Sequence, residues 1–291
     1  MRKADTSIGE RTSLREREFP FAEQDFNALR VLVRQHTGIS LSDSKRELVY
    51  GRLSRRLRAL GLNSFREYRE VLTSDPDGRE LVEFCNAITT NLTSFFREPH
   101  HFDYLRDHVL PPLSTGTAGR RMRIWSAGCS TGEEPYSIAM TVCEAVPDRN
   151  RRDIRILATD LDSDVLSRGR EGVYAEERLK GMNPRRVGGF FHERREPEGR
   201  KYAVSPELVK LITFNPLNLM HELPMRGPLD VIFCRNVVIY FDKDTQRTLF
   251  ERMARLQRPG ATLFLGHSES LFKVSDAYTL VGRTIYRRNE S

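Results

Sequence analysis

The chain has 291 residues, of which 38% are hydrophobic and 30% are charged, so it can bury a sizeable core as one large domain or two smaller ones. No apolar run approaches the roughly 20 residues of a membrane span, and the first residues lack the apolar region of a signal peptide, which predicts a cytoplasmic protein without direct membrane insertion. The net charge of +7 leaves nucleic acid, anionic membranes and acidic proteins open as partners.

The first part of the chain has a helical pattern. Residues 1–19 are mixed in charge and poor in apolar residues, which predicts a disordered leader. The apolar spacing after this leader, through Phe26 and Val33, is typical of a helix that stops at Gly38. We therefore predict a small all-helical domain over residues 20–75.

The second helix of this domain has one apolar and one basic face. Apolar residues recur within one helical arc at Val49, Leu53, Leu57 and Leu60. The basic residues opposite them are Lys45, Arg52, Arg55, Arg56 and Arg58. The basic face is either an ordinary solvated surface or a docking surface for an acidic partner.

A turn at residues 75–78 separates the helical domain from the next helix. The helical pattern after this turn carries Leu81, Phe84 and Ile88. We predict a linker helix over residues 76–98, which leads into the second domain.

From residue 99 to 291 short apolar runs alternate with helical patterns. The runs are residues 122–126, 154–159, 211–214, 230–234 and 261–266. This alternation predicts an α/β domain with a doubly wound parallel sheet, to which a final pair of strands around Gly282 adds an antiparallel edge. Residues 190–210 are too rich in turn formers for a packing helix, so we predict a small antiparallel β insertion there.

The segment 124–137 predicts a ligand site. Its pattern is typical of a strand that enters a small-residue turn and leaves as a helix, which presents backbone N–H groups to a ligand. Gly128 and Gly132 permit the tight turn, and Glu133 and Glu134 place carboxylates at the helix start. Neither phosphate-binding loop signature occurs here. The predicted ligand is nucleotide-like and cationic without phosphate, a character that S-adenosylmethionine has.

Polar residues also follow other predicted strands. Asp160 ends a strand, where a carboxylate could accept hydrogen bonds from ribose hydroxyls or, alternatively, cap the next helix. Arg235 and Asn236 emerge directly from the strand 230–234 and need polar partners. The four cysteines form no CysXaaXaaCys pair, which indicates reduced thiols, and we predict no metal site, including at the neighbouring histidines 100 and 101.

Several blocks, taken in order, resemble the CheR-type chemotaxis receptor methyltransferases, which methylate glutamate side chains with S-adenosylmethionine. The blocks are residues 89–98 (ThrThrAsnLeuThrSerPhePheArgGlu), 125–137, 158–162, 218–219, 233–241 (PheCysArgAsnValValIleTyrPhe) and 266–269 (GlyHisSerGlu). The resemblance covers nearly the whole chain from about residue 21. It implies a helical receptor-docking domain followed by a Rossmann-like class I methyltransferase domain.

The resemblance also implies roles for individual residues. The implied cofactor-binding residues are Asn91, Thr93, Arg97, Gly128, Glu134, Asp160, Asn218, Leu219, Arg235 and Asn236. Arg97 and Tyr240 are the implied catalytic residues, and Arg97 would bind the carboxylate of either the cofactor or the substrate. Phe95 and Phe96 could cover the sulfonium or simply pack. The basic helix would approach the acidic methylation helices of the receptors.

Rival functions predict different residues. A nucleic-acid methyltransferase would share the fold, but the AsnProProTyr run typical of amino-group methylation is replaced by AsnProLeuAsn at 215–218, and the basic helix lacks aromatic interleaving. A non-catalytic docking module would not need Arg97, Asp160 and Tyr240. We expect no nucleic-acid partner and a monomer. Relatives that tether a receptor peptide use a glycine-rich loop in the β insertion, whereas residues 193–202 contain one glycine and many charges, which argues against tethering.

Overall fold

A computed structural model describes residues 17–75, 77–112, 121–147, 149, 152–197 and 199–290. Its N-terminal part is all-helical, as predicted. The helices are α1 (Glu23–Thr37), α2 (Arg46–Leu60), α3 (Phe65–Ser74) and α4 (Arg79–Ile88). Gly38 and Gly61, with φ of 74° and 67°, end α1 and α2 in the left-handed conformation that favours glycine.

These helices enclose one apolar core. Leu29 and Leu53 are fully buried in it, and α4 contributes Phe84 and Ile88. The helix predicted as a linker over 76–98 is therefore shorter than expected and packs with the helical domain. It ends at Ile88, after which the backbone becomes extended.

Two features of this part were not anticipated from the sequence. Most of the leader predicted over 1–19 lies outside the described residues, but Phe19 is buried in the helical core and Glu18 pairs with Arg58 at 2.6 Å, so these two residues belong to the helical domain. Leu60, placed in the apolar arc of α2, is 40% exposed. Leu60 is the last residue of α2. Helical periodicity shows which face a residue is on, but not whether the neighbouring helices reach far enough to bury that face at the end of the helix.

The C-terminal part is built on strands. They are β1 (Arg121–Ala127), β2 (Asp153–Asp160), β3 (Val173–Ala175), β4 (Phe191–Glu196), β5 (Gly199–Val204), β6 (Ile212–Pro216), β7 (Leu229–Cys234), β8 (Gln257–Leu265), β9 (Tyr278–Gly282) and β10 (Ile285–Arg288). Seven of them form a sheet in the order β6-β2-β1-β7-β8-β10-β9, parallel except for β10, which is antiparallel to β8 and β9. The strand order reverses between β1 and β7, which opens a crevice at the carboxyl ends of these parallel strands.

Helices cover both faces of this sheet. The helices of the C-terminal part are α5 (His100–Tyr104), α6 (Glu133–Ala145), α7 (Ser163–Glu171), α8 (Pro184–Phe190), α9 (Pro206–Val209) and α10 (Lys243–Leu256). Ile124 of β1 is buried with α6 on one face, and its neighbour Trp125 is buried with α10 on the other, as strand alternation requires. The doubly wound prediction is confirmed. Among the described residues, no helix is long and apolar enough to cross a membrane.

The β insertion is also confirmed. It is a separate antiparallel sheet in the order β3-β5-β4, and β4 and β5 form a hairpin within the predicted 190–210. The third strand, β3, comes from outside that range. It pairs Val173 with Ala203 and follows α7 directly.

Candidate active site

A cavity opens at the carboxyl ends of β1, β2 and β7. It brings together every residue that the sequence analysis assigned to the cofactor, namely Asn91, Thr93, Arg97, Gly128, Glu134, Asp160, Asn218, Leu219, Arg235 and Asn236. Tyr240 lines the same cavity. Ligands of open α/β sheets bind at this place, where the strand order reverses.

The turn after β1 has the backbone shape that its glycines predict. Gly128 and Gly132 have φ of 80° and 96°. A side chain on Gly128 would come within 2.3 Å of Val237 Cγ2, so the segment after β7 lies directly against this turn. Glycine is therefore needed here both for the backbone conformation and for the close approach.

Asp160 holds the turn from the end of β2. One carboxylate oxygen accepts the Ser130 N–H at 2.8 Å, and the other accepts the Asp162 N–H at 3.1 Å. The N-cap of α7 is Asp162, which accepts the N–H groups of Asp164 and Val165. Asp160 is thus not the helix cap, and it lines the cavity. Burial raises the pKa of the Asp160 carboxyl against the effect of these hydrogen bonds, so a further donor in the cavity would stabilise its anion.

Arg235 is the centre of a buried ion network. Its side chain is 2% exposed, donates to Glu134 at 3.0 Å, lies 3.4 Å from Glu98 and hydrogen-bonds the carbonyl oxygen of Arg97. Glu134 also accepts the Ser126 hydroxyl at 2.7 Å. Burial raises the pKa of Glu134, and the charge of Arg235 opposes that effect.

Arg97 lies in a strained turn. Phe96 and Glu98 on either side have φ of 52° and 58°, a conformation that costs free energy for residues with a Cβ. The guanidinium of Arg97 donates to the Leu92 carbonyl at 2.8 Å and lines the cavity. The turn therefore directs the arginine to the cavity rather than to open solvent.

Phe95 and Phe96 do not line this cavity. The Phe95 ring lies 4.9 Å from that of Tyr174, and the Phe96 ring lies 5.1 Å from that of Phe102, both edge-on. These contacts support packing for both rings rather than the alternative, cover of a sulfonium.

Asn236 and Tyr240 belong to one short segment. Asn236 has φ of 59°, and the 3-10 turn Val238–Tyr240 comes directly after Val237. The Tyr240 carbonyl accepts the Ser40 N–H at 2.8 Å, which ties the segment to the helical domain. No described residue hydrogen-bonds the Tyr240 hydroxyl, which leaves it available to a substrate.

The helical domain forms part of the cavity wall, which the sequence analysis missed. Thr37 and Ile39, at the end of α1, line the cavity. The amide of Asn218 donates to the His36 carbonyl at 2.6 Å. Asn218, an implied cofactor-binding residue, therefore has part of its hydrogen-bonding capacity engaged by α1.

The connector from α4 into the cavity is held from two sides. Arg52 of α2 donates to the carbonyls of Ile88 at 2.5 Å and Thr89 at 2.8 Å. Asn91 donates to Asp162 at 2.7 Å. Arg52, predicted to dock the substrate, thus fixes the segment that carries Asn91.

The basic face of α2 is partly neutralised within the protein. Arg56 pairs with Glu80 at 2.5 Å, and Arg58 pairs with the carboxylate of residue 18. Lys45 and Arg55 are exposed, and neither makes an ion pair with another described residue. Of the five basic residues predicted to dock a substrate, these two therefore remain fully available for a partner.

The cavity lining fits S-adenosylmethionine. Asp160 and Glu134 provide anionic groups for hydroxyls and an ammonium, and Arg97 provides a cation for a carboxylate. Leu161, Leu217 and Leu219 add apolar surface for a purine ring. The donor and acceptor set therefore suits a zwitterionic nucleoside.

Two family models match the chain. The model described as "CheR methyltransferase, all-alpha domain" matches residues 24–89, and "CheR methyltransferase, SAM binding domain" matches residues 91–287. The chain belongs to the CheR methyltransferase family. The resemblance is thereby confirmed, and S-adenosylmethionine as cofactor with it.

Curated relatives of this CheR-family protein align over nearly their whole lengths. Chemotaxis protein methyltransferase 2 of Pseudomonas aeruginosa is 47% identical over 270 residues, which cover 92% of this chain and 94% of the relative. A probable chemotaxis protein methyltransferase of Rhizobium etli is 45% identical over 88% of this chain and 96% of its own. The chemotaxis protein methyltransferase of Escherichia coli is 42% identical over 91% of each chain.

Glu98 and two neighbouring histidines form a candidate metal-ligand group in this CheR-family protein. Glu98, His100 and His101 each offer one ligand atom, and these atoms lie within 4.8 Å of one another. Glu98 already accepts His267 Nδ1 at 2.9 Å and pairs with Arg235, whose charge would repel a cation. The expectation of no metal stays a prediction.

We expect acid to destabilise this CheR-family protein through Glu98 and His101. Burial, reinforced by the charge of Arg235, lowers the pKa of His101 to about 3 from 6.5. Burial alone would raise the pKa of Glu98, but the hydrogen bonds of His267 and the charge of Arg235 lower it to about 2 from 4.5. In both cases the unfolded chain binds a proton at a pH at which the folded protein does not, so the free energy of unfolding falls as the pH falls from 6.5 towards 2.

Denaturant unfolding at a series of pH values, followed by the fluorescence of the single tryptophan, Trp125, tests this expectation. His101→Gln should reduce the pH dependence of the free energy of unfolding between about pH 3 and 6.5, and Glu98→Gln should reduce it between about pH 2 and 4.5. An unchanged slope in both variants would contradict the assignment.

Proposed function

We propose that this CheR-family methyltransferase transfers the methyl group of S-adenosylmethionine to glutamate side chains of chemoreceptors. The observation that carries the proposal is the lack of a conventional base: among the described residues that line the cavity there is no histidine, lysine or cysteine. Glu134 is paired with Arg235, and Asp160 accepts two backbone N–H groups. A protonated amine would need a base, whereas a glutamate with a pKa of about 4.3 is already ionised at neutral pH.

The residues of the cavity divide into cofactor-holding and substrate-orienting groups. Asp160 would accept hydrogen bonds from the ribose hydroxyls, and Leu219 would cover the adenine ring. Asn91 and Thr93 would complete the wall on the connector side. When bound, the cofactor supplies an electrophilic methyl group on a sulfonium.

Arg97 and Tyr240 would orient the substrate carboxylate. The planar fork of Arg97 can bind a carboxylate at two points, and the Tyr240 hydroxyl can donate one hydrogen bond to it. They would hold one carboxylate oxygen towards the electrophilic methyl group that the bound cofactor would supply, and no residue of the cavity would need to move a proton. The protein contributes alignment and partial exclusion of water rather than acid–base chemistry.

The proposed function is tested by methyl transfer from S-adenosylmethionine labelled in its methyl group to membranes that carry chemoreceptors. Mild base is then applied, and volatile methanol is collected. Base-labile label on the receptor is the expected result, because a glutamyl methyl ester hydrolyses. Label that resists base, or that appears on nucleic acid, would refute carboxyl methylation.

Lys45 and Arg55 would provide the docking surface for the acidic receptor helices. Arg55→Glu is expected to raise the KM for receptor about 3- to 10-fold without changing the KM for cofactor, because a surface charge affects the rate at which the two proteins associate. The effect should become smaller as the salt concentration rises, because salt screens surface charges. Arg287→Glu, the same change at an exposed site on the terminal hairpin, is the matched control. Equal effects of both variants, or a salt-independent effect of Arg55→Glu, would contradict a docking role.

A further inference from the structure

Glu269 is a buried carboxylate that lines no part of the cavity, yet it holds the segment that does. It is 5% exposed and comes after β8, the sheet neighbour of β7. One of its oxygens accepts the N–H groups of Val237 at 2.9 Å, Val238 at 2.9 Å and Ile239 at 3.3 Å. The other accepts the Asn236 N–H at 2.8 Å.

The second oxygen also accepts the N–H of Gly266 at 2.6 Å, so both oxygens are used. Four consecutive N–H groups of the segment after β7 therefore converge on one side chain. These N–H groups begin a helical turn, where they have no partner within the turn itself. A carboxylate satisfies such a set better than any neutral side chain, because it offers only acceptors.

Gly266 explains how close the two segments lie. A Cβ on Gly266 would come within 2.3 Å of the Asn236 side-chain nitrogen and 2.8 Å of its backbone nitrogen. The end of β8 thus packs directly against Asn236, which has φ of 59°. The GlyHisSerGlu block supplies both the room and the acceptor that this left-handed residue requires.

We propose that Glu269 is a positioning residue for methyl transfer, which sets the place of Asn236 in the cofactor site and of Tyr240 at the reacting carboxylate. The inference about Tyr240 rests on the proposed function. Without the carboxylate the Asn236–Tyr240 segment loses the acceptor that determines its conformation, and Tyr240 shifts relative to the cofactor. A misplacement of about 1 Å can lower a rate on the order of 100-fold.

The test is Glu269→Gln, whose amide would place two donors against an array of donors. We expect a kcat on the order of 100-fold lower and a weaker affinity for S-adenosylhomocysteine, measured by calorimetry, with Glu269→Asp intermediate in both. Asp230→Asn is the matched control. Asp230 is also a buried carboxylate of this sheet, 8% exposed, and accepts the Arg123 N–H at 2.7 Å, but it lies at the opposite end of β7.

Glu269→Gln and Asp230→Asn should lower the thermal midpoint similarly, and only Glu269→Gln should lower kcat. Equal kcat values in the two variants would overturn the proposal. If Glu269→Gln does not fold, Gly266→Ala displaces Asn236 with the carboxylate intact, and wild-type kinetics in that variant would equally overturn it. Failure of the wild type to methylate receptors would instead refute the proposed function, and cofactor affinity would still report on Glu269.

Discussion

Asp160→Ala is expected to weaken the affinity for S-adenosylhomocysteine on the order of 100-fold. Hydrogen bonds to a charged acceptor contribute about 1.5–3 kcal/mol each, and the ribose offers two hydroxyls. The substitution also removes the acceptor of the Ser130 N–H, so the turn after β1 loses one of the hydrogen bonds that hold it to the end of β2. Calorimetric titration measures the change directly.

Tyr240→Phe is the control for Asp160→Ala, because it removes one polar group from the lining of the same cavity. It is expected to lower kcat roughly 10- to 100-fold with little change in cofactor affinity, since in the proposed function the hydroxyl acts on the substrate carboxylate and not on the cofactor. Equal losses of affinity and turnover in both variants would contradict the division into cofactor-holding and substrate-orienting residues.

Arg235→Met is expected to cause the largest loss of stability, about 3–5 kcal/mol in the free energy of unfolding. The substitution keeps much of the side-chain volume but leaves Glu134 and Glu98 without their shared cation, and both carboxylates are only 11% exposed. An unpaired buried charge costs far more than the pair itself contributes. The cofactor site should be lost as well, because Glu134 lines the cavity.

Urea unfolding followed by Trp125 fluorescence measures the loss in Arg235→Met. Arg247→Met serves as the control, because Arg247 pairs with Asp244 at 2.7 Å on the surface, where its side chain is 48% exposed. The control should lose less than about 1 kcal/mol. A similarly small loss in Arg235→Met would show that the network does not depend on its central cation.

The strands and the cavity could be predicted because each has a local signal. Gly128 and Asp160 mark the ends of β1 and β2, and parallel strands bring their carboxyl ends to one edge of a sheet. Arg235 was conspicuous because a charged residue that leaves a buried strand needs partners. The local sequence pattern was therefore enough to predict a site residue wherever the end of a strand determined the position of its side chain.

Contacts between distant segments had no such signal. The position of Gly38 indicates only a helix stop, yet a side chain there would come within 2.2 Å of Met220 Sδ, so the glycine also lets the end of α1 lie close to the segment after β6. Arg56 was placed on a solvent-facing arc, but the packing of α4 against α2 brings Glu80 to it. Glu269 lies in the GlyHisSerGlu block, but the block does not indicate its role, because its partners are backbone N–H groups about 30 residues away in sequence.

Residue-level mapping of the transferred methyl group tests the central claim most directly. The wild-type protein would be incubated with S-adenosylmethionine and a soluble receptor cytoplasmic fragment, and the acceptor atom would be located by tandem mass spectrometry. A methyl group on glutamate carboxylates is the predicted result, absent from Tyr240→Phe at short times. A methyl group on lysine or arginine nitrogen would contradict a reaction that proceeds without a base.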